Sequence, residues 1–193
     1  KLNKYKLHIM FVDDNFTANL KRVKELLREI IKKKIKFHWS AQVRTESARD
    51  IELVKLMKDA GCFAVYIGFE SINPATLDSY EKKQGVKAIE DAIRVYKNHA
   101  INIHGMFVLG SDSDDIQVIR DTPKFAKKHG IKSVQFMALT PLPGTPLFKK
   151  LQNSGRIIHT DWGKYTCNYA VFEPKLMTAD ELHVETLKAM GEF

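Results

Sequence analysis

Strand-like and helix-like segments alternate along the whole chain, and this alternation limits the fold more than any other feature. Five segments have the composition of strands: Leu7–Asp14, Lys36–Arg44, Cys62–Glu70, Ile101–Gly110 and Ser133–Thr140. Between them the apolar period changes to that of helices, over Asn19–Lys34, Asp50–Ala60, Pro74–Tyr80, Val86–Asn98 and Asp115–Lys128. A short helix at Leu147–Asn153 and a last one at Thr178–Met190 complete the series. The strand ends lie roughly 30–40 residues apart, the size of one βα unit, and no hairpin turn joins successive strands. The strands are therefore expected to be parallel, with right-handed crossovers.

Alternation inside the strands narrows the choice of architecture. One parity is apolar: Phe37, Trp39, Ala41 and Val43, then Phe63, Val65, Ile67 and Phe69, then Ile101, Ile103, Phe107 and Leu109. The other is mixed and includes His38, Ser40, Gln42, Arg44, Tyr66, Glu70, His104, Met106 and Gln135. An open doubly wound sheet carries helices on both faces and calls for apolar residues on both. A full eight-stranded barrel takes about 250 residues and has a packed interior. Five strands with one polar face fit a wider, incomplete barrel with a polar lumen.

Composition excludes several other classes. The chain has 193 residues, 44% of them hydrophobic, which excludes disorder. No apolar run approaches the ~18–20 residues of a membrane span. Two cysteines, Cys62 and Cys167, exclude a disulfide scaffold and point to a reducing cytoplasm. The chain opens on Lys1 with no leader pattern, as a piece of a longer protein would. The net charge of +8 comes from lysines in helical segments, interleaved with Glu and Asp, and is read as solvated helix faces rather than a nucleic-acid footprint.

In folds of this kind chemistry sits at the carboxyl ends of the strands. Here those ends carry Asp13 and Asp14, Gln42 and Arg44, Glu70 and Ser71, Gly110 with Asp112, and Thr140 before Pro141-Leu142-Pro143-Gly144. Parity puts Asp14, Gln42, Arg44 and Glu70 on the lumen side, a set suited to a small zwitterion or to an internal ion-pair network. His8, His38 and His104 share that parity but lie away from the rim, as buried, hydrogen-bonded histidines rather than a metal site. Among Asp112, Asp114 and Asp115 a helix cap is expected. Thr17 and Thr178 are candidate N-caps, the latter with Glu181 in a capping-box pattern. Met10, Met106 and Met137 on the inner parity are expected to fill gaps.

Four strand-end segments together resemble the radical SAM superfamily: Phe11-Val12-Asp13-Asp14-Asn15-Phe16, Ile67-Gly68-Phe69-Glu70-Ser71, Gly105-Met106-Phe107-Val108-Leu109-Gly110 and Leu139-Thr140-Pro141-Leu142-Pro143-Gly144. Within it they are most similar to the branch in which a cobalamin-binding domain precedes the catalytic domain, as in anaerobic magnesium-protoporphyrin monomethyl ester cyclase. The resemblance implies an α/β fold, a partial TIM-type (β/α)6 barrel of which this chain supplies strands two to six. It implies a barrel over residues 1–160 and an extension with a terminal helix over residues 161–193.

The family's cofactors are S-adenosylmethionine and a 4Fe-4S cluster held by a CxxxCxxC loop on the first strand. Neither Cys62 nor Cys167 matches that loop, so no metal ligand and no bound cofactor is expected for this chain by itself. The resemblance places the methionyl amino group near Asp14, a polar contact at Gln42 or Arg44, and the ribose at Glu70, beside Ser71. It places the methionyl carboxylate at Lys82, with Lys83 as its rival, and the adenine near Val108 to Gly110 and Leu139 to Thr140. The spacing before Gly110 departs by one residue from the family's fifth-strand pattern. The intact parent would cleave S-adenosylmethionine reductively to a 5′-deoxyadenosyl radical for hydrogen abstraction, or for methyl or ring chemistry, on a small molecule. Cobalamin would come through an upstream domain. Two other readings stay open: an unrelated barrel enzyme using Asp14 and Glu70 for acid/base or metal chemistry, and a basic scaffold binding nucleic acid or a partner. An unpaired first strand would in addition favour self-association.

Overall fold

A computed structural model of the chain describes residues 8–80 and 84–193. Five parallel strands form one sheet in the order β1-β2-β3-β4-β5. They are β1 (His8–Phe11), β2 (His38–Val43), β3 (Cys62–Glu70), β4 (Asn102–Leu109) and β5 (Ser133–Ala138). The helices are α1 (Leu20–Lys32), α2 (Ile51–Asp59), α3 (Pro74–Ser79), α4 (Val86–Asn98), α5 (Ile116–His129), α6 (Pro146–Asn153) and α7 (Ala179–Glu192). The order is that of a partial TIM-type barrel, as expected. Lys82, Lys83 and Leu7 lie outside the described residues.

The chain packs as two compact units. The first holds residues 8–69, 84–105 and 129–133, and the second residues 70–80, 106–128 and 134–193. In the first, Trp39, Ala41, Val65 and Ile67 of the apolar strand parity are fully buried together with Leu27, Leu53, Met57, Ile89 and Ile93. The Tyr96 hydroxyl of α4 lies 2.7 Å from Ser47 Oγ in the 3-10 turn Thr45–Arg49, and burial raises its pKa. Lys24 Nζ of α1 pairs with Asp50 at 2.7 Å and Glu52 at 2.8 Å, tying α1 to α2.

Several expectations change in this unit. The strand β1 ends at Phe11, and Asp14 falls in a turn. The cap of α1 is Asn19, which accepts from Arg22 N, whereas Thr17 donates to Asn15 Oδ1 at 2.8 Å. The apolar period of α1 does not map onto one buried face: Val23, Leu27 and Ile30 are buried, but Leu20, Leu26 and Ile31 are exposed.

Strand parity breaks at one point between β2 and β3. Trp39 pairs with Cys62 and Ser40 with Ala64, so Phe63 is an extra residue in β3. Phe63 thereby leaves the fully buried face and stacks on His8, with ring centroids 4.5 Å apart. His8 and His38 are exposed rather than buried, since they carry the parity that the helices leave open. His104 is half-buried, lies 2.8 Å from Ser133 Oγ, and has its pKa lowered by that burial.

In the second unit Phe107, Leu109, Phe136, Ala138, Val171, Phe172 and Leu182 form the core. The capping box of α7 is present, with Thr178 and Glu181 in both roles. Arg120 of α5 donates to both carboxylate oxygens of buried Glu185 in α7, at 2.7 and 3.0 Å, and Lys188 adds a third contact at 2.7 Å. The Arg120 guanidinium, with Lys188, holds the Glu185 carboxyl down to about 2. Its folded pKa is depressed, so its stabilisation is complete above the ordinary glutamate value of ~4.3 and is lost as pH falls toward about 2. Acid unfolding followed by circular dichroism should show this loss in the wild-type chain and a flatter limb in Glu185→Gln. An identical acid limb in the variant contradicts the assignment.

Candidate cofactor-binding site

The carboxyl ends of β1 and β2 carry the first group of candidates. Phe16 N donates to Gln42 O at 2.9 Å, which fastens the turn after β1 to the end of β2. Gln42 is half-buried within β2. Asp14 is exposed, and its direction is set by the turn rather than by strand parity, so the parity argument does not hold for it. Arg44 lies one residue past β2, precedes the 3-10 turn, and stands 3.8 Å from Glu46. Both Arg44 and Asn15 line an open cleft of about 950 Å³.

The ends of β3, β4 and β5 carry the second group. Glu70 closes β3 with φ of 65°, the left-handed region that non-glycine residues avoid. Lys34, Ala100 and Cys167 share that conformation; the first two each follow a helix, where the amide closes the last turn, and Cys167 lies in the C-terminal segment. Glu70 follows a strand, and no helix end explains its geometry. Along β3 it alternates with fully buried Val65, Ile67 and Phe69, so it occupies the less buried face. Ser71 is buried, and its hydroxyl accepts from Asn73 N at 3.0 Å.

Sequence reasoning missed what fixes this segment. Asp114 is completely buried. It accepts from Gly110 N at 3.2 Å, Ser111 N at 3.0 Å, Thr76 Oγ1 at 2.6 Å and Asn73 Nδ2 at 3.1 Å. Burial raises its pKa against the pull of those four donors. Asp114 thus locks the loop after β4 to the start of α3, three residues beyond Glu70. From the other side Arg156 grips Asp112 with two bonds, at 2.5 and 3.0 Å, and lowers the Asp112 pKa. The capping role expected among these aspartates belongs to Asp115, which accepts from Val118 N at 2.9 Å. The one available signal was Asn73-Pro74, a capping residue ahead of a helix-opening proline.

Gly110 has φ of 93°, and a Cβ there would meet Leu182 Cδ2 at 2.5 Å, so packing of α7 demands glycine. Val108 is half-buried in β4. Leu139 N donates to Leu109 O at 2.8 Å, prolonging the strand pairing past Ala138, and Thr140 Oγ1 donates to Ala138 O at 3.0 Å.

The donor set suits one of the two cofactors that the sequence resemblance implies better than the other. Cys62 is buried, its thiol pushed up to about 12 by that burial, and Cys167 is half-buried in the C-terminal segment. These two thiols do not fit a cluster that needs three thiolates. Among the described residues no group of three His, Cys, Asp or Glu side chains is placed to hold a metal ion. S-adenosylmethionine fits better. Glu70 at the end of β3, Ser71 after it and Thr140 after β5 offer a carboxylate and two hydroxyls, and burial raises the pKa of the Tyr80 hydroxyl.

Comparison with known proteins agrees with this geometry. Residues 1–122 match the Radical SAM superfamily. The bacteriochlorophyllide d C-12(1)-methyltransferase of Chlorobaculum tepidum is 32% identical over 193 residues, covering 100% of this chain and 41% of that protein. The anaerobic magnesium-protoporphyrin IX monomethyl ester cyclase of Cereibacter sphaeroides is 28% identical, over 90% of this chain and 28% of its own length. The chain thus spans well under half of either relative. Among solved structures, the radical S-adenosylmethionine methyltransferase TsrM of Kitasatospora setae, with cobalamin and a 4Fe-4S cluster bound, shares the fold. Its TM-score is 0.68 at 19% identity, over 92% of this chain and 37% of TsrM. With its parallel sheet, its strand-end residues and this match, the chain belongs to the radical SAM superfamily.

Proposed function

We propose that this chain is the S-adenosylmethionine-binding core of a cobalamin-associated radical SAM enzyme that transfers a methyl group to a small molecule or remakes a ring in it. Residues 1–160 form that core and residues 161–193 its extension. The observation that carries the reading is the left-handed backbone of Glu70 at a strand end, a conformation costing of order 1–3 kcal/mol that persists where the surrounding structure over-determines it. When bound, a reduced cluster would supply one electron to S-adenosylmethionine and so provide radical chemistry.

The chain's own task is binding and orientation. Glu70 accepts from the two ribose hydroxyls, which suits an ionised carboxylate with its several lone pairs. Ser71 borders the same sugar. Gln42 or Arg44 supplies a polar contact to the methionyl part, Asp14 meets its ammonium, and Lys82 meets its carboxylate. Val108 to Gly110 and Leu139 to Thr140 border the adenine. The cluster ligands and the cobalamin are supplied by parts of the parent upstream of this chain.

The test is a titration of S-adenosylmethionine into the longer, cluster-loaded protein. Glu70→Ala should weaken binding by about 1.5–3 kcal/mol, the range for a hydrogen bond to a charged group. Unchanged affinity rejects the ribose assignment. A longer protein that binds neither cluster nor S-adenosylmethionine rejects the whole reading.

A further inference from the structure

We infer that the cleft between the β1–α1 and β2–α2 connections binds an anionic amphiphile, a carboxylate or phosphate carried on an apolar body. The cleft measures about 950 Å³, within the range of small-molecule sites. Its walls come from Asn15–Leu20 on one side and Arg44–Ile51 on the other, all inside the first compact unit.

The balance of charge in the cleft fixes the sign of the ligand. Asp50 is already bound by Lys24 at 2.7 Å, and that ammonium lowers its pKa. Glu46 faces Arg44 at 3.8 Å. Arg49 also lines the cleft, and among the described residues its guanidinium forms no hydrogen bond or ion pair. One cation is therefore uncompensated. A planar guanidinium prefers carboxylate or phosphate, which it can grip with two parallel bonds.

The apolar walls fix the rest of the ligand. Leu20 is 44% exposed and Ile51 is 51% exposed, and both line the cleft beside that cation. Thr17 is already committed to Asn15, and Ser47 to Arg44 O and Tyr96, so few polar groups remain to favour a sugar-like ligand. A body that covers Leu20 and Ile51 while its anion reaches Arg49 satisfies both demands. The inference goes beyond the cofactor reading. Arg49, Leu20 and Ile51 have no part in that reading, and only Arg44 is common to both.

The experiment is calorimetric titration of the chain with three amphiphiles of one tail length, each kept monomeric: decanoate, decyl phosphate and decyltrimethylammonium. The two anions should bind and the cation should not. Binding of decanoate alone identifies a carboxylate ligand, and of decyl phosphate alone a phosphate ligand. Arg49→Ala should weaken the anions by about tenfold or more. Arg49 is exposed, so the variant is expected to fold, and circular dichroism checks this. Ile51→Ser should weaken them as well, through the tail. Glu70→Ala should leave the affinity unchanged, which separates this site from the cofactor site. Equal binding of the cation, no binding of either anion, an unaffected Arg49→Ala, or an affinity lowered by Glu70→Ala overturns the inference.

Discussion

Asp114→Ala should destabilise the chain by about 3–5 kcal/mol in urea unfolding, because it orphans several buried donors at once. The carboxylate is completely buried and accepts from two backbone amides, one hydroxyl and one side-chain amide. Of these donors, Asn73 Nδ2 keeps a second acceptor in Ser113 O at 2.7 Å, whereas Gly110 N and Ser111 N lose theirs. An orphaned buried donor costs about 1–3 kcal/mol, and water entering the space recovers part of it. Asp114→Asn keeps the shape but turns an amide toward groups that themselves donate, so it should be destabilising too, by a smaller amount. The two variants also differ from the wild type in pH response. The folded pKa of Asp114 is raised, so its ionisation takes stability away as pH climbs from ~3.9 through the raised value. Both variants lack that decline, which runs opposite in sign to the effect of Glu185. A loss below about 1 kcal/mol in Asp114→Ala would mean that the loop after β4 is held mainly by the Arg156 clasp on Asp112.

Where local signals decide structure, the sequence was legible to the residue. Strand β3 and helix α4 begin and end where composition places them, since Gly61 precedes the first and Gly85 the second. The capping box of α7 is likewise a local pattern. Apolar Val12 extends the strand pattern of β1 beyond Phe11, yet Val12 is 86% exposed in the structure. The parity of Phe63 was misread because a bulge is a property of two strands in register, and only the partner strand reveals it. The candidate site shows the same division. Glu70 was placed by its position at a strand end, but its left-handed backbone was invisible in the sequence. Asp114 looked like one of three similar aspartates. Its role depends on Asn73 and Thr76, about 40 residues earlier, and no local pattern records such a contact. Arg49 was passed over for a related reason. A lone arginine gains meaning only when the partners of neighbouring Arg44 and Asp50 are known.

Trp39→Ala should cost about 3–5 kcal/mol, the range for removing a large aromatic side chain from a core. Trp39 is completely buried. Its indole meets Phe11 edge-on at 5.2 Å and lies tilted against Phe16 at 5.3 Å, so one ring joins β1, the turn after it and β2. Its Nε1 donates to Ala60 O at 2.9 Å, filling one of the carbonyls that the end of α2 leaves open. Its backbone amide donates to Gly61 O at 3.2 Å, just where β3 begins. It also stands at the register shift between β2 and β3, opposite Cys62. The comparison that separates packing from hydrogen bonding is Trp39→Phe. That variant keeps much of the ring volume while losing the bond to Ala60 O, so it should recover more than half of the stability lost in Trp39→Ala. If both variants unfold at the same urea midpoint, the bond to the end of α2, and not the aromatic contacts with Phe11 and Phe16, holds β2 in place. If Trp39→Ala loses less than about 1.5 kcal/mol, the first unit does not depend on this ring, and the core around β2 must collapse to fill the space.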